Sequence, residues 1–141
     1  MPIINGKFIP RGLYNNNPGN IRKSPTKWLG EVDGTDDAFE TFQSPELGIR
    51  AIVRILLTYQ RRHGLDTIEE MIGRWAPPIE NDTTSYVDAV ARSSGVSKNK
   101  VINLYDNDLL LKIVKAIIVH ENGYNPYDDE LVKKGIRLGL V

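Results

Sequence analysis

The chain contains no cysteine, which excludes disulfides, thiolate-ligated zinc and cysteine nucleophiles. Histidine is almost as scarce. His63 and His120 are the two imidazoles in 141 residues, too few for a histidine-rich metal centre. A surplus of either charge is also missing: 18 basic residues balance 18 acidic ones, so the basic excess of a dedicated nucleic-acid binder is absent. The apolar runs, such as Ala116-Ile117-Ile118-Val119, are far shorter than the roughly 20 residues that span a bilayer, so no membrane insertion is expected. The N-terminal segment has no apolar h-region ahead of a small-residue cleavage site, and the expectation is synthesis in the cytoplasm without a signal peptide. No glycine-rich phosphate loop, zinc-ligand spacing or nucleophile elbow occurs. No metal or organic cofactor is implied.

What is present suits one domain over residues 1–141, with 40% apolar and 26% charged residues. A chain of this length removes roughly two-thirds of its unfolded surface from water on folding, enough for a core without staples. Met1 to Pro10 reads as a short extended arm. Arg11 to Asn20 concentrates turn formers, with asparagine and glycine supplying left-handed backbone and Pro18 fixing φ. Ala38 to Phe42 reads as a short strand, and Trp28, Phe39 and Phe42 as the core of a small β-hairpin lobe over about 15–43. Charge is segregated there: residues 1–30 hold five basic side chains and no acid, residues 31–46 six acids and no base. Strands pairing opposite charges across a ladder account for such a pattern.

Residues 44–138 read as helical. Ser44-Pro45 forms an N-cap with proline at the first position, and apolar residues from Leu47 to Tyr59 recur at helical spacing until Gly64. A second helix starts at Asp66 or Thr67 with a capping box to Glu69 or Glu70 and ends at Trp75. Thr83 or Thr84 caps a third, running to Gly95. Asn107 or Asp108 opens the most apolar helix, a buried central one that ends at His120-Glu121-Asn122-Gly123. The last spans about Asp128 to Leu138. The fold class is mainly α, of the α+β type.

Glu121 is the first candidate for chemistry. At the C-terminal end of the core helix its carboxyl group faces the negative pole of the helix dipole, a setting that disfavours the charged form. A carboxylic acid that still holds its proton can protonate the leaving oxygen of a glycosidic bond. The second candidate is Arg74 to Tyr86, where Pro77 and Pro78 stiffen a loop carrying Glu80, Asn81, Asp82 and Thr83 between an indole and a phenol. Aromatic faces beside fixed polar groups suit a sugar. Asp82 and Thr83 equally suit a helix cap. Glu80 is a reserve acid. Asn15, Asn16, Asn17 and Asn20 serve turn geometry, and His120, pointing about 100° away from Glu121 on the helix, reads as a packed histidine.

Taken together, Asn15-Asn16-Asn17-Pro18-Gly19-Asn20-Ile21-Arg22, Trp28, Gly30, Phe39, Phe42, Ser44 to Ala51, Arg74 to Thr83, Tyr86-Val87 and His120 to Gly123 resemble phage and prophage muramidases of the lysozyme-like superfamily. The likeness runs from about Arg11 to Leu138. It implies a lysozyme-like fold and cleavage of the β-1,4 bond between N-acetylmuramic acid and N-acetylglucosamine in peptidoglycan glycan strands. In that superfamily the catalytic glutamate ends a core helix that precedes the β lobe. Here the matching lobe comes first, which implies a circularly permuted order with Glu121 as general acid. Glu80 or Glu31 takes that place if the order is not permuted. Asn17, Asn20, Thr83 and Tyr86 are expected to line the cleft. A second carboxylate about 5 Å from Glu121 permits retention, and one about 6.5–9.5 Å away inversion. With neither, intramolecular attack gives an anhydro product, as in lytic transglycosylases. A virion or wall-binding module without turnover is the competing reading, with other virion proteins as partners. Such a protein reaches the cell wall through a holin, in a virion or by injection.

Overall fold

The computed structural model describes residues 3–4 and 6–141. Among these, the chain opens with a hairpin of β1 (Ile3–Ile4) and β2 (Lys7–Phe8), then one helical turn, α1 (Arg11–Tyr14). The second small antiparallel sheet pairs β3 (Glu31–Val32) with β4 (Thr41–Phe42), Glu31 opposite Phe42. Five helices follow: α2 (Pro45–His63), α3 (Ile68–Trp75), α4 (Thr83–Ser94), α5 (Asn107–Asn122) and α6 (Asp129–Leu140). The protein is therefore mostly helical, with a small β lobe.

Two N-terminal expectations need correction. The arm is a hairpin, with Ile3 facing Phe8 across the ladder; Met1, Pro2 and Asn5 lie outside the described residues. The turn-forming run begins with the helical turn α1, entered through Pro10 at φ −52°. Further along, Asn16 and Asn20 do adopt left-handed backbone, at φ 52° and 50°, which asparagine tolerates.

Local chemistry sets the helix ends. The Ser44 hydroxyl accepts from the Leu47 N–H, and Gly64 closes α2. Thr67 caps α3 by accepting from the Glu70 N–H, and the Glu70 carboxylate reaches back to the Thr67 hydroxyl and to the Asp66 N–H one residue before the cap, a variant of the capping box. Asp82, one of the cap candidates, caps α4, and α5 opens at Asn107 as expected, capped by Asp106 before it. The two cap carboxylates accept from Ser85 and Leu109, and a negative charge there also meets the positive helix pole.

One core is shared by α2 to α6. Ile49, Ile52, Leu56, Leu110, Val114 and Ile117 are among its fully buried members. α6 packs along α2, and α4 joins α3 to α5. The α2–α6 approach is close because Gly135 and Gly139 face it. A Cβ on either would lie 2.6 Å from the Cβ of Ile49 or Val53. No described helix is long and apolar enough to cross a membrane.

Candidate functional site

α5 delivers Glu121 to the β lobe. Asn20 Nδ2 donates to Glu121 Oε1 at 3.0 Å and to its main-chain carbonyl at 3.3 Å. The Tyr86 hydroxyl donates to Oε2 at 2.8 Å, and Trp75 Nε1 lies 3.4 Å from the same oxygen and 3.1 Å from the Tyr86 hydroxyl. The carboxyl group is thus fixed from three directions, by the Asn-rich loop, α3 and α4. Burial first, and then the Glu121 charge, push the Tyr86 phenol far above the ordinary tyrosine range, so it remains a donor.

The carboxyl group opens onto a groove of about 400 Å³, within the usual range for ligand sites. Gly19 to Arg22 and Phe39 form its β-lobe wall. Ile55 and Tyr59 come from α2, and Trp75, Ala76, Pro77, Glu80 and Asn81 from the end of α3 and the loop beyond it.

The lobe is bolted to α5 beside this carboxyl. Asn122 Nδ2 donates to the Pro18 carbonyl at 2.8 Å and to the Ile118 carbonyl at 3.0 Å. α1 closes in from behind through Gly12. A Cβ there would meet Asn122 Oδ1, the Asn17 carbonyl and Asn20 Oδ1 at 2.6–2.7 Å, so this contact requires glycine. The Asn20 and Asn122 amide oxygens are buried without a conventional partner among the described residues, and the Gly12 Cα–H faces them as a weak donor.

The expected site residues separate into groups. Glu121, Asn20 and Tyr86 come together. Tyr86 is only 1% exposed, so it holds the carboxyl rather than contacting a ligand with its ring. Glu80 also reaches the groove, paired there with Arg22. Asn17 is a correction: it is fully buried, donates to the Ile21 and Glu40 carbonyls, and accepts from the Ile21 N–H, all at 2.9 Å. It shapes the loop and is closed to a ligand. Thr83 is likewise a correction, because its hydroxyl donates to the Ala76 carbonyl at 2.6 Å and pins the loop. Glu31 lies outside the groove lining, in β3, with Lys27 3.9 Å away.

Sequence reasoning missed Arg22 and Tyr59 and placed Phe39 in the lobe core; all three line the groove. Tyr59 fits the apolar spacing of α2, so only its terminal position sets it apart. His120 is exposed rather than packed inside. Its ring stacks on Tyr86 with centroids 3.8 Å apart, covering the phenol that holds Glu121. Among the described residues no cluster of three or more acidic or imidazole groups could hold a metal ion.

The fold and site define a mostly helical α+β protein whose groove is built around one firmly held carboxyl group. No protein-family model matches the chain. It is 43% identical over 134 residues to "Protein P5" of Pseudoalteromonas phage PM2, an alignment covering 92% of this chain and 82% of that protein. The chain belongs to the family of this bacteriophage protein.

Proposed function

We propose that the protein cleaves the β-1,4 bond between N-acetylmuramic acid and N-acetylglucosamine in peptidoglycan, with Glu121 as general acid. The observation that carries this reading is the Glu121 carboxyl group, held by Asn20 and Tyr86 where the groove opens. Oriented in this way, it is placed to pass a proton to the glycosidic oxygen of a strand lying in the groove. Trp75 and Tyr59 offer aromatic surface to sugar rings, and Asn81 offers an amide. Kinship with a phage protein supports a role in crossing a bacterial wall. The finer fold reading belongs to the same proposal: a lysozyme-like domain in circularly permuted order, in which the end of α5 meets a β lobe earlier in the chain. Delivery through a holin, in a virion among other virion proteins, or by injection completes it.

One observation favours the transglycosylase form of the reaction. Glu80, the other carboxylate lining the groove, is 53% exposed and held by a single weak contact, so it is not the fixed second carboxylate that a two-carboxylate hydrolysis requires. Glu121 then acts alone, first as acid. It next acts as base toward the C6 hydroxyl of muramic acid, which closes an anhydro ring in place of attack by water. Digestion of purified sacculi by wild type and Glu121→Gln, with mass spectrometry of the fragments, tests both points. The wild type should release anhydro-muramyl fragments and the variant almost none. Reducing ends would point to hydrolysis instead. Equal release by the variant would remove Glu121 as the acid, and binding of sacculi without any release would leave a wall-binding module.

A further inference from the structure

Two arginines lean on one aromatic ring in the groove wall. The Arg11 guanidinium carbon lies 4.4 Å from the Phe39 ring centre and that of Arg22 4.8 Å. Their commitments differ. Arg11 grips both oxygens of Asp36, a carboxylate that is only 6% exposed. Arg22 meets Glu80 through one contact of 3.4 Å, between side chains 56% and 53% exposed. An exposed pair of that kind contributes little and is easily exchanged.

The backbone of Arg22 is nonetheless fixed. It bridges to Phe39 across the lobe, and the flanking Lys23 N–H donates to the Ala38 carbonyl at 2.9 Å. Stacking on Phe39 orients the guanidinium, a planar fork that matches a carboxylate. Arg22 also follows Asn20 by two residues, so their Cα atoms stand no more than about 7 Å apart. Asn20 touches Glu121. A loosely committed, pre-oriented cation therefore lines the same groove as the acid, close along it.

Resting on the glycan reading above, we infer that Arg22 binds a carboxylate carried by muramic acid, and that Glu80 holds this position when no glycan is bound. Of the two sugars in the strand, only muramic acid bears a lactyl arm. That arm ends in a carboxylate, or in the carboxylates of an attached peptide. A neutral N-acetylglucosamine polymer has neither. Arg22 thus selects the acidic strand, and Glu80 sets the threshold by competing for the guanidinium.

The test is calorimetric binding to the Glu121→Gln protein, so that no ligand is consumed. Four ligands are compared: peptide-free glycan fragments with lactyl carboxylates, the same fragments with these converted to neutral amides, peptide-bearing fragments, and chito-oligosaccharides. The carboxylate form should bind about tenfold more tightly than its amide, with the advantage shrinking at high salt. Arg22→Gln should abolish the preference, Arg22→Lys keep part of it, and Glu80→Gln enlarge it. Peptide-free against peptide-bearing fragments tells which carboxylate is read. Equal affinity for carboxylate and amide overturns the inference and leaves the role of Glu121 standing; this comparison needs no change at Arg22. An unaltered preference in Arg22→Gln overturns it too. Failure of every glycan to bind, with no fragments released by wild type, removes both the inference and the reading beneath it.

Discussion

Tyr86 shows what a single side chain contributes at this site. It is buried against α5, its ring is capped by His120, and its hydroxyl donates to Glu121 while accepting from Trp75. Tyr86→Phe removes that donor and leaves the packing volume unchanged. Loss of a hydrogen bond to a carboxylate, worth about 1.5–3 kcal/mol where the acceptor is charged, should lower kcat on sacculi by about tenfold or more. Stability should fall by a comparable amount, about 1.5–3 kcal/mol, and KM should barely move. Steady-state turnover set beside urea melts separates these effects, and an unchanged kcat would show that the phenol does not position the acid. Tyr86→Ala also opens a cavity, so its cost should reach about 3–5 kcal/mol and confound the comparison. The sequence marks Glu121 and Tyr86 by helix position. It does not distinguish Asn17 from Asn20, because which asparagine turns inward is decided by the left-handed backbone at Asn16 and Asn20.

Within the β lobe, two carboxyl groups respond to pH in opposite directions. Arg11 first, and then the N–H groups of Ala38 and Phe39 and the Asn15 amide, hold Asp36 well below the usual carboxylate range. Burial, followed by the nearby Glu31 charge, pushes Glu40 up. The fold favours charged Asp36, so its contribution is fully present above the unfolded value of about 3.9, declines below it and is lost only as pH falls through the much lower folded value. It favours protonated Glu40, so that contribution is present below about 4.3 and lost as pH rises through the folded value. Asp36→Asn should therefore destabilise the protein at pH 7, by about 2 kcal/mol, and only somewhat less near pH 3, where the folded protein still holds the charged form. Glu40→Gln should stabilise at pH 7 and be neutral near pH 3. Urea denaturation at both pH values checks the signs, and a common sign at pH 7 would contradict this electrostatic account. Helix limits at Ser44, Gly64, Thr67, Trp75 and Gly123 were legible because capping chemistry is local. The lobe was less so. Its strands are two residues long, and Asp36 finds Arg11 across 25 positions of chain, a contact no local spacing encodes.

At the scale of the whole molecule, glycines divide by what faces them. Gly135 in α6 and Gly73 in α3 both occupy helix interiors, where replacement by alanine gains up to about 1 kcal/mol from backbone propensity alone. Their surroundings are opposite. A Cβ on Gly73 meets nothing within 4 Å, whereas one on Gly135 would lie 2.6 Å from both Cβ and Cγ2 of Ile49 and 2.9 Å from the Glu46 carbonyl. Those neighbours are backbone and a β-branched carbon of the facing helix, which cannot swing aside. The clash must push α6 off α2, and overpacking of this kind costs about 1–3 kcal/mol, more than propensity returns. α2 also carries Ile55 and Tyr59 into the groove, so a shift of the α2–α6 pair reaches the site wall as well as the core. Gly73→Ala should raise Tm by about 3 °C, and Gly135→Ala should lower it by a similar amount or more. The second substitution should also weaken glycan binding, with Glu121 and its donors chemically intact. Thermal melts of both variants with calorimetric binding decide the matter: a stabilised Gly135→Ala would mean that the helix pair gives way freely, and that the close approach of the two helices is not what fixes the groove.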